Sequence, residues 1–124
     1  VYGNTLSQVT GALSLDNAWY TQTAGQINAG SLSLTNNALL KHPGATTSAF
    51  YKVDLNVSGN MTIDGTSSVN VDGLGYLGGW QGGNSSDYGR TTGNSTTNGS
   101  YDGDGGSYGG LGGDGSGGGS IGIL

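Results

Sequence analysis

Aspartate is the residue of this chain best suited to binding a cation. The sequence contains eight aspartates and no glutamate or cysteine. Asp102-Gly-Asp104 begins like an EF-hand loop, and Asp114 closes a Gly-Gly-x-Gly-x-Asp stretch typical of calcium β-rolls. The closing glutamate of an EF-hand and a second β-roll nonapeptide are both missing. Asp102, Asp104 and Asp114 are therefore candidate calcium ligands, with plain Asp-Gly turns as the alternative interpretation.

Asp64 and Asp72 are the candidates for a carboxylate pair in general acid–base catalysis. Each precedes a glycine, a pattern that also predicts a turn. His42 is the single histidine and stands before Pro43, which favours a turn over a catalytic base. We predict no enzymatic activity and no cofactor other than the calcium considered above.

Aromatic residues are spread through the glycine-rich half of the chain. Tyr76, Trp80 and Tyr88 are candidates for stacking on glycans if their rings are exposed. If buried, these rings and those of Tyr101 and Tyr108 would supply the large apolar area that glycine lacks. We expect burial, because glycine-rich chains need something to pack on.

Several asparagines lie in Asn-x-Ser/Thr sequences, which are acceptors for N-glycosylation in secreted proteins. Asn84, Asn94 and Asn98 are the ones expected at the surface. A chain rich in Asn, Ser and Thr also produces such triplets by composition alone.

Residues 1–72 are predicted to form the strands that position the candidate sites. Large apolar residues alternate with polar ones, which predicts strands with one buried face. Three heptapeptides repeat, beginning at Gly11, Gly30 and Gly59, in steps of 19 and 29 residues. The chain is therefore predicted to be all-β, with a short parallel β-solenoid of about three coils. The ten additional residues, KHPGATTSAF, would form a loop from the third coil. A small β-sandwich and an array of hairpins are the alternatives.

Stacking of these repeats predicts which side chains lie above one another. The expected interior columns are Leu13 over Leu32 over Met61, and Leu15 over Leu34 over Ile63. Asn17 and Asn36 are expected at a corner, where asparagine tolerates the left-handed conformation. Each coil alone buries too little, so neighbouring coils must stabilise one another.

Residues 73–120 form a glycine-rich region, and residues 121–124 alternate again like a terminal strand. Between Trp80 and Leu111 there is no Val, Ile, Leu or Met, so a conventional core cannot form there. Order must come from backbone hydrogen bonds and close approach of chains, which glycine permits. Glycine at every third position from Gly103 to Gly118 also suits a polyglycine-II-like arrangement.

The stretch MTIDGTSSVNVDGLGYLGGWQGGNSSDYGRTTGNSTT resembles glycine-rich parallel β-helix segments of large bacterial surface and secreted, adhesin-like proteins. The matching motifs are VDGLGYLGG at 71–79 and GSYGGLGG at 106–113, with LSLTNNALLKHP upstream. The resemblance covers most of residues 30–113, and Leu74 stands where the pattern has arginine. It implies a right-handed β-helix and an extracellular location, and no enzymatic activity.

The charge and hydropathy of the chain limit the classes of function that it can have. A net charge of −5 with three basic residues excludes the usual basic footprint for nucleic acid, and no apolar run is long enough to span a membrane. We predict an extracellular structural protein whose copies self-assemble into a filament, with Ile121, Ile123 and Leu124 as assembly residues. The alternatives are an adhesin or phage-like fibre tip that binds glycans, and a fragment of a β-helix carbohydrate-active enzyme.

Overall fold

The computed structural model describes residues 11–102 and 105–106. These residues form strands with almost no helix. The strands are β1 (Ala12–Asp16), β2 (Trp19–Thr21), β3 (Ile27–Ala29), β4 (Ser31–Thr35), β5 (Leu39–Lys41), β6 (Leu55–Val57), β7 (Met61–Ile63) and β8 (Ser68–Val69). One short turn of 3₁₀ helix spans Thr92–Asn94.

All strand pairs are parallel, and each strand pairs with the strand three elements along the chain. The sheet orders are β1-β4-β7, β2-β5-β8 and β3-β6. Parallel neighbours need a long connection, and here the chain makes it by visiting the other two sheets before it returns. No sheet closes into a barrel among the described residues. The prediction of an all-β chain with parallel strands is confirmed.

The register follows the heptapeptide repeats. Leu13 pairs with Leu32 and Leu15 with Leu34, between β1 and β4. Between β4 and β7, Leu32 pairs with Met61 and Leu34 with Ile63. Both predicted columns are therefore confirmed as strand partners. This register is strongly specified, because a shift of one residue would turn every apolar side chain to the opposite face.

The apolar core is centred on the middle strands. Its buried members are Leu15, Ile27, Leu32, Leu34, Ala38 and Leu40. Met61 and Ile63 depart from the predicted interior, since they are 43% and 41% exposed. They lie on β7, which pairs only with β4 among the described residues, so one side of each is left uncovered.

Asparagines turn the chain at the predicted corner. Asn17 has φ 47° and Asn36 has φ 56°, both in the left-handed region. The Asn17 N–H donates to Thr35 O over 3.0 Å, which holds one corner on the next. The sequence-based prediction for these two residues is confirmed.

The additional residues lie between β5 and β6, in residues 42–54, whereas the equivalent connection from β2 to β3 has only residues 22–26. The predicted loop therefore belongs to the second repeat and not to the third, and its first residue, Lys41, ends β5.

The chain divides into two compact units. The described part of unit 1 comprises residues 11–43 and 51–71 and contains all eight strands. The described part of unit 2 comprises residues 44–50, 72–102 and 105–106. No helix in the described ranges is long and apolar enough to cross a membrane.

Segments of unit 2 approach one another closely at glycine, as the glycine-rich composition predicts. A Cβ at Gly99 would collide with the carbonyl oxygen of Gly89, and one at Gly106 would collide with Tyr76 O. The expected close approach of chains is therefore confirmed at two glycines. Apart from Gly106, the glycines of the every-third series lie outside the described residues.

Candidate functional site

The predicted calcium ligands do not form a site in the described part of the chain. Asp102 is exposed with φ 69°, and Asp104 and Asp114 lie outside the described residues. Within residues 11–102 and 105–106, no three His, Cys, Asp or Glu side chains converge on a metal-sized space. The Asp102 backbone is that of a turn residue, in keeping with the alternative interpretation.

Asp64 fixes a corner of unit 1. Its Oδ2 accepts the Asn36 N–H over 2.7 Å. Its Oδ1 accepts the N–H and the hydroxyl of Thr66, each over 2.9 Å. The Asn36 N–H, the Ser67 hydroxyl and the Thr66 N–H hold the pKa of this carboxyl far below its usual range. A carboxylate so committed to donors is poorly suited to carry a proton in catalysis.

The other two candidates for acid–base chemistry occupy different surroundings. Asp72 is exposed and belongs to unit 2, whereas Asp64 belongs to unit 1. His42 is buried, and its Nδ1 lies 2.6 Å from Pro43 O, so this nitrogen donates to the carbonyl. The ring is therefore bonded to the neighbouring backbone, but residues 42–46 form neither a turn nor a bend, so the turn expected at His42 is not found.

Tyr76 packs within unit 2. Its ring lies 5.6 Å from that of Phe50, tilted by 54°, and the residue is half-buried. Of the three candidates for glycan contact, Tyr76 is the one that is not exposed. We expect these aromatic residues to be buried, and Tyr76 is only half-buried.

Three other aromatic residues of unit 2 are exposed, which makes the expectation of burial wrong for them. Trp80 is 64% exposed, Tyr88 44% and Tyr101 43%. We refer to Trp80, Tyr88 and Tyr101, in their order along the chain, as the aromatic row. The Tyr88 and Tyr101 rings lie 5.1 Å apart at an angle of 51°. Sequence reasoning missed the pairing of Tyr101 with Tyr88, because thirteen residues without periodicity separate them.

Ser86 joins the backbones of the first two members of the aromatic row. The Trp80 N–H donates to Ser86 O over 3.1 Å, and the Tyr88 N–H donates to Ser86 Oγ over 3.0 Å. The Gly89 N–H donates to Ser100 O over 2.8 Å, which brings Tyr88 beside Tyr101. The row is thus positioned by hydrogen bonds of the loops that carry it.

Asn84 lies beneath these loops, and its predicted place at the surface is wrong. It is 3% exposed, and its Nδ2 donates to Gly78 O and Tyr88 O, each over 2.9 Å. The amide nitrogen that glycosylation would modify is therefore committed to the fold. A buried side chain satisfies these two carbonyls because no strand ladder is present to do so.

The remaining glycosylation candidates differ in exposure. Asn94 is half-buried, and its Nδ2 donates to Thr46 O over 3.0 Å. Asn98 is exposed with φ 60°. Asn98 is therefore the most accessible of the three predicted acceptors, and its modification stays a prediction.

Unit 1 presents an uncovered strand edge. We define the terminal edge as the side of β6, β7 and β8 that has no strand partner among the described residues. Met61 and Ile63 expose their side chains there. On the neighbouring face of unit 1, the Asn56 Nδ2 donates to Asn28 Oδ1 over 2.9 Å, so identical side chains stack from strand to strand. The predicted assembly residues Ile121, Ile123 and Leu124 lie outside the described residues.

Comparison of the chain with protein-family models, with curated proteins and with solved structures found no match. The candidate sites therefore stand on their own geometry. That geometry comprises a parallel strand edge with exposed apolar side chains in unit 1, and an exposed aromatic row in unit 2.

Proposed function

We propose that this chain is an extracellular structural protein whose copies stack into a filament, with its parallel strands as the coils of a short right-handed β-solenoid. The observation that carries the proposal is the terminal edge. Met61 and Ile63 are about two-fifths exposed there, at positions where β4 carries Leu32 and Leu34 with 2% and 0% exposure. The extracellular location rests on the resemblance to bacterial surface proteins.

A second copy of this chain is the occupant that fits the edge. β1 lies on β4 with Leu13 and Leu15 in register with Leu32 and Leu34. β7 repeats the same spacing of apolar residues as β4, so β1 of another copy can follow β7 in the register already used within the chain. Such a head-to-tail contact does not close on itself, and repeated additions give an open filament.

The energetics make this association dependent on concentration. Covering the exposed two-fifths of Met61 and Ile63 contributes about 1 kcal/mol each, from about 1.5–3 kcal/mol for complete burial. Association itself costs at least about 4 kcal/mol. Backbone hydrogen bonds along β6, β7 and β8, at about 0.5–1.5 kcal/mol each, must therefore supply the rest.

The decisive experiment places a charge on the terminal edge. Ile63→Lys adds a lysine to an edge strand, which opposes pairing with another strand. Val71→Lys is the matched control, since Val71 is 44% exposed and lies outside the strands. We expect filaments of the parent and of Val71→Lys in negative-stain micrographs, and none for Ile63→Lys.

Sedimentation velocity across a concentration series measures the size of the assemblies and can contradict the proposal. A parent chain that stays monomeric at every concentration contradicts the proposal, as does an Ile63→Lys variant that assembles like the parent. A chain ending at Ser120 tests the assembly role predicted for Ile121, Ile123 and Leu124, and we expect its assembly to be weaker but retained. No observation favours the carbohydrate-enzyme alternative, because the carboxylate of Asp64 is committed to corner hydrogen bonds.

A further inference from the structure

We propose that the aromatic row of unit 2 binds a neutral carbohydrate chain. The row belongs to unit 2 and the terminal edge to unit 1, and the proposal does not depend on filament assembly. It also differs from the sequence-based set of glycan contacts, because Tyr101 replaces Tyr76. Tyr76 is half-buried and packed against Phe50.

The backbone of Trp80 provides the first argument. Its φ of 59° lies in the left-handed region, which a large side chain rarely adopts. The indole is 64% exposed, so packing within the chain does little to offset this strain. Glycine, which would adopt the same φ without strain, stands at positions 78, 79, 82 and 83. A strained, exposed tryptophan in this setting is explained by a contact made outside the chain.

The arrangement of the row provides the second argument. Trp80 and Tyr88 are both hydrogen-bonded to Ser86, and Tyr88 is tilted against Tyr101. Asn84 fixes the Tyr88 carbonyl from beneath. The rings therefore stand on backbone that is positioned before any ligand arrives, which reduces the entropy lost on binding. Tyrosine and tryptophan with Ser, Gly and Asn between them form the composition typical of adaptable binding loops.

The charges near the row favour a neutral saccharide. Residues 80–86 are WQGGNSS and carry no charge, and they offer the amide of Gln81 and the hydroxyl of Ser85, both of which are exposed. A sugar ring needs such partners for its hydroxyl groups and an aromatic face for its C–H groups. Asp87 and Asp102 are exposed directly beside Tyr88 and Tyr101 in the sequence. Together with the net charge of −5, they oppose acidic glycans, nucleic acid and anionic membrane surfaces.

Titration with defined oligosaccharides tests the site. The probes are β-1,4-linked glucose and N-acetylglucosamine hexasaccharides, with a sialylated oligosaccharide as the acidic comparison, and binding is measured by calorimetry. We expect at least one neutral probe to bind, and the acidic one to bind more weakly. Trp80→Gly is expected to lower the affinity at least tenfold while raising the Tm, because it relieves the left-handed strain.

Trp19→Gly is the matched control, since Trp19 is also exposed, at 69%, but lies in the extended strand β2. It is expected to lower the Tm and to leave the affinity unchanged. Tyr101→Ala provides a second variant and should lower the affinity without the rise in Tm. The proposal is overturned if neither neutral hexasaccharide binds the parent chain, or if Trp80→Gly binds as the parent does. Loss of filament assembly in Trp80→Gly, with no saccharide binding by the parent, assigns the row to contacts between copies and also overturns it.

Discussion

Replacing Gln22 by leucine tests whether a single buried amide joins the two sides of the long connection in unit 1. Gln22 is 1% exposed and follows β2. Its Oε1 accepts the Asp54 N–H over 3.0 Å. Its Nε2 donates to Asp54 O over 3.1 Å and to Gly25 O over 2.5 Å. The side-chain amide of Gln22 thus makes the two hydrogen bonds to the Asp54 backbone that a paired strand would otherwise make, where residues 42–54 interrupt the regular pairing.

The magnitude depends on which groups lose their only partner. Asp54 O keeps a second donor, because the Ile27 N–H lies 2.9 Å from it, and Gly25 is exposed, so water can reach its carbonyl. The Asp54 N–H is the group left without a partner, at a cost of about 1–3 kcal/mol. Burying leucine instead of an amide offsets the two weaker losses. We expect Gln22→Leu to lower the free energy of unfolding by about 2 kcal/mol, and the Tm by roughly 8–16 °C.

Glutamate at the same position separates hydrogen bonding from shape. Gln22→Glu keeps an acceptor for the Asp54 N–H but turns a second oxygen toward two carbonyls. Burial and these carbonyls should raise the pKa of the new carboxyl above that of the unfolded chain. Its cost is then largest at neutral pH and is relieved as the pH falls through the raised pKa. At neutral pH Gln22→Glu should be less stable than Gln22→Leu, and in mild acid the difference should shrink or reverse.

Urea unfolding at 25 °C, followed by circular dichroism, measures these differences. Gln26→Leu is the matched control, because Gln26 is exposed and its side-chain amide donates to the carboxylate of Asp54 and not to a backbone group. It should change stability by less than about 0.5 kcal/mol. The reasoning is refuted if Gln22→Leu is as stable as the parent, or if the deficit of Gln22→Glu does not shrink in acid.

Two further predictions concern Asp64 and Gly99. The pKa of Asp64 is lowered in the folded chain, so its contribution to stability is present above the unfolded pKa and is lost as the pH falls below it. The urea midpoint of Asp64→Asn should therefore lie below that of the parent at pH 7 and approach it toward pH 2. A gap that persists in acid contradicts the role given to Asp64. Gly99→Ala forces a Cβ against Gly89 O, at about 1–3 kcal/mol, and should speed tryptic cleavage after Arg90 by roughly 5- to 150-fold. Gly75→Ala, with open space around the position, should leave the cleavage rate unchanged, and equal rates for the two variants would show that the Gly99–Gly89 contact does not order unit 2.

The aromatic row and Asn84 show where sequence reasoning failed. Where aliphatic residues are scarce, aromatic rings are expected to be buried. This expectation is wrong for Trp80, Tyr88 and Tyr101. The order of unit 2 comes instead from backbone contacts and from Asn84, whose side chain replaces ladder partners. No local pattern marks a side chain that bonds two carbonyls in an irregular loop.

The sequence alone determined the strand repeat of unit 1. Side chains alternate with period two, glycine begins each heptapeptide, and asparagine ends the first two. Register and corner conformation therefore follow from local chemistry at Leu13, Leu32, Asn17 and Asn36. Only the tertiary structure decided that Gln22 reaches Asp54, and that Met61 and Ile63 are left at an uncovered edge. These outcomes depend on which distant segments meet and on which strand has no further partner among the described residues. A sequence repeat that treats every heptapeptide alike contains neither.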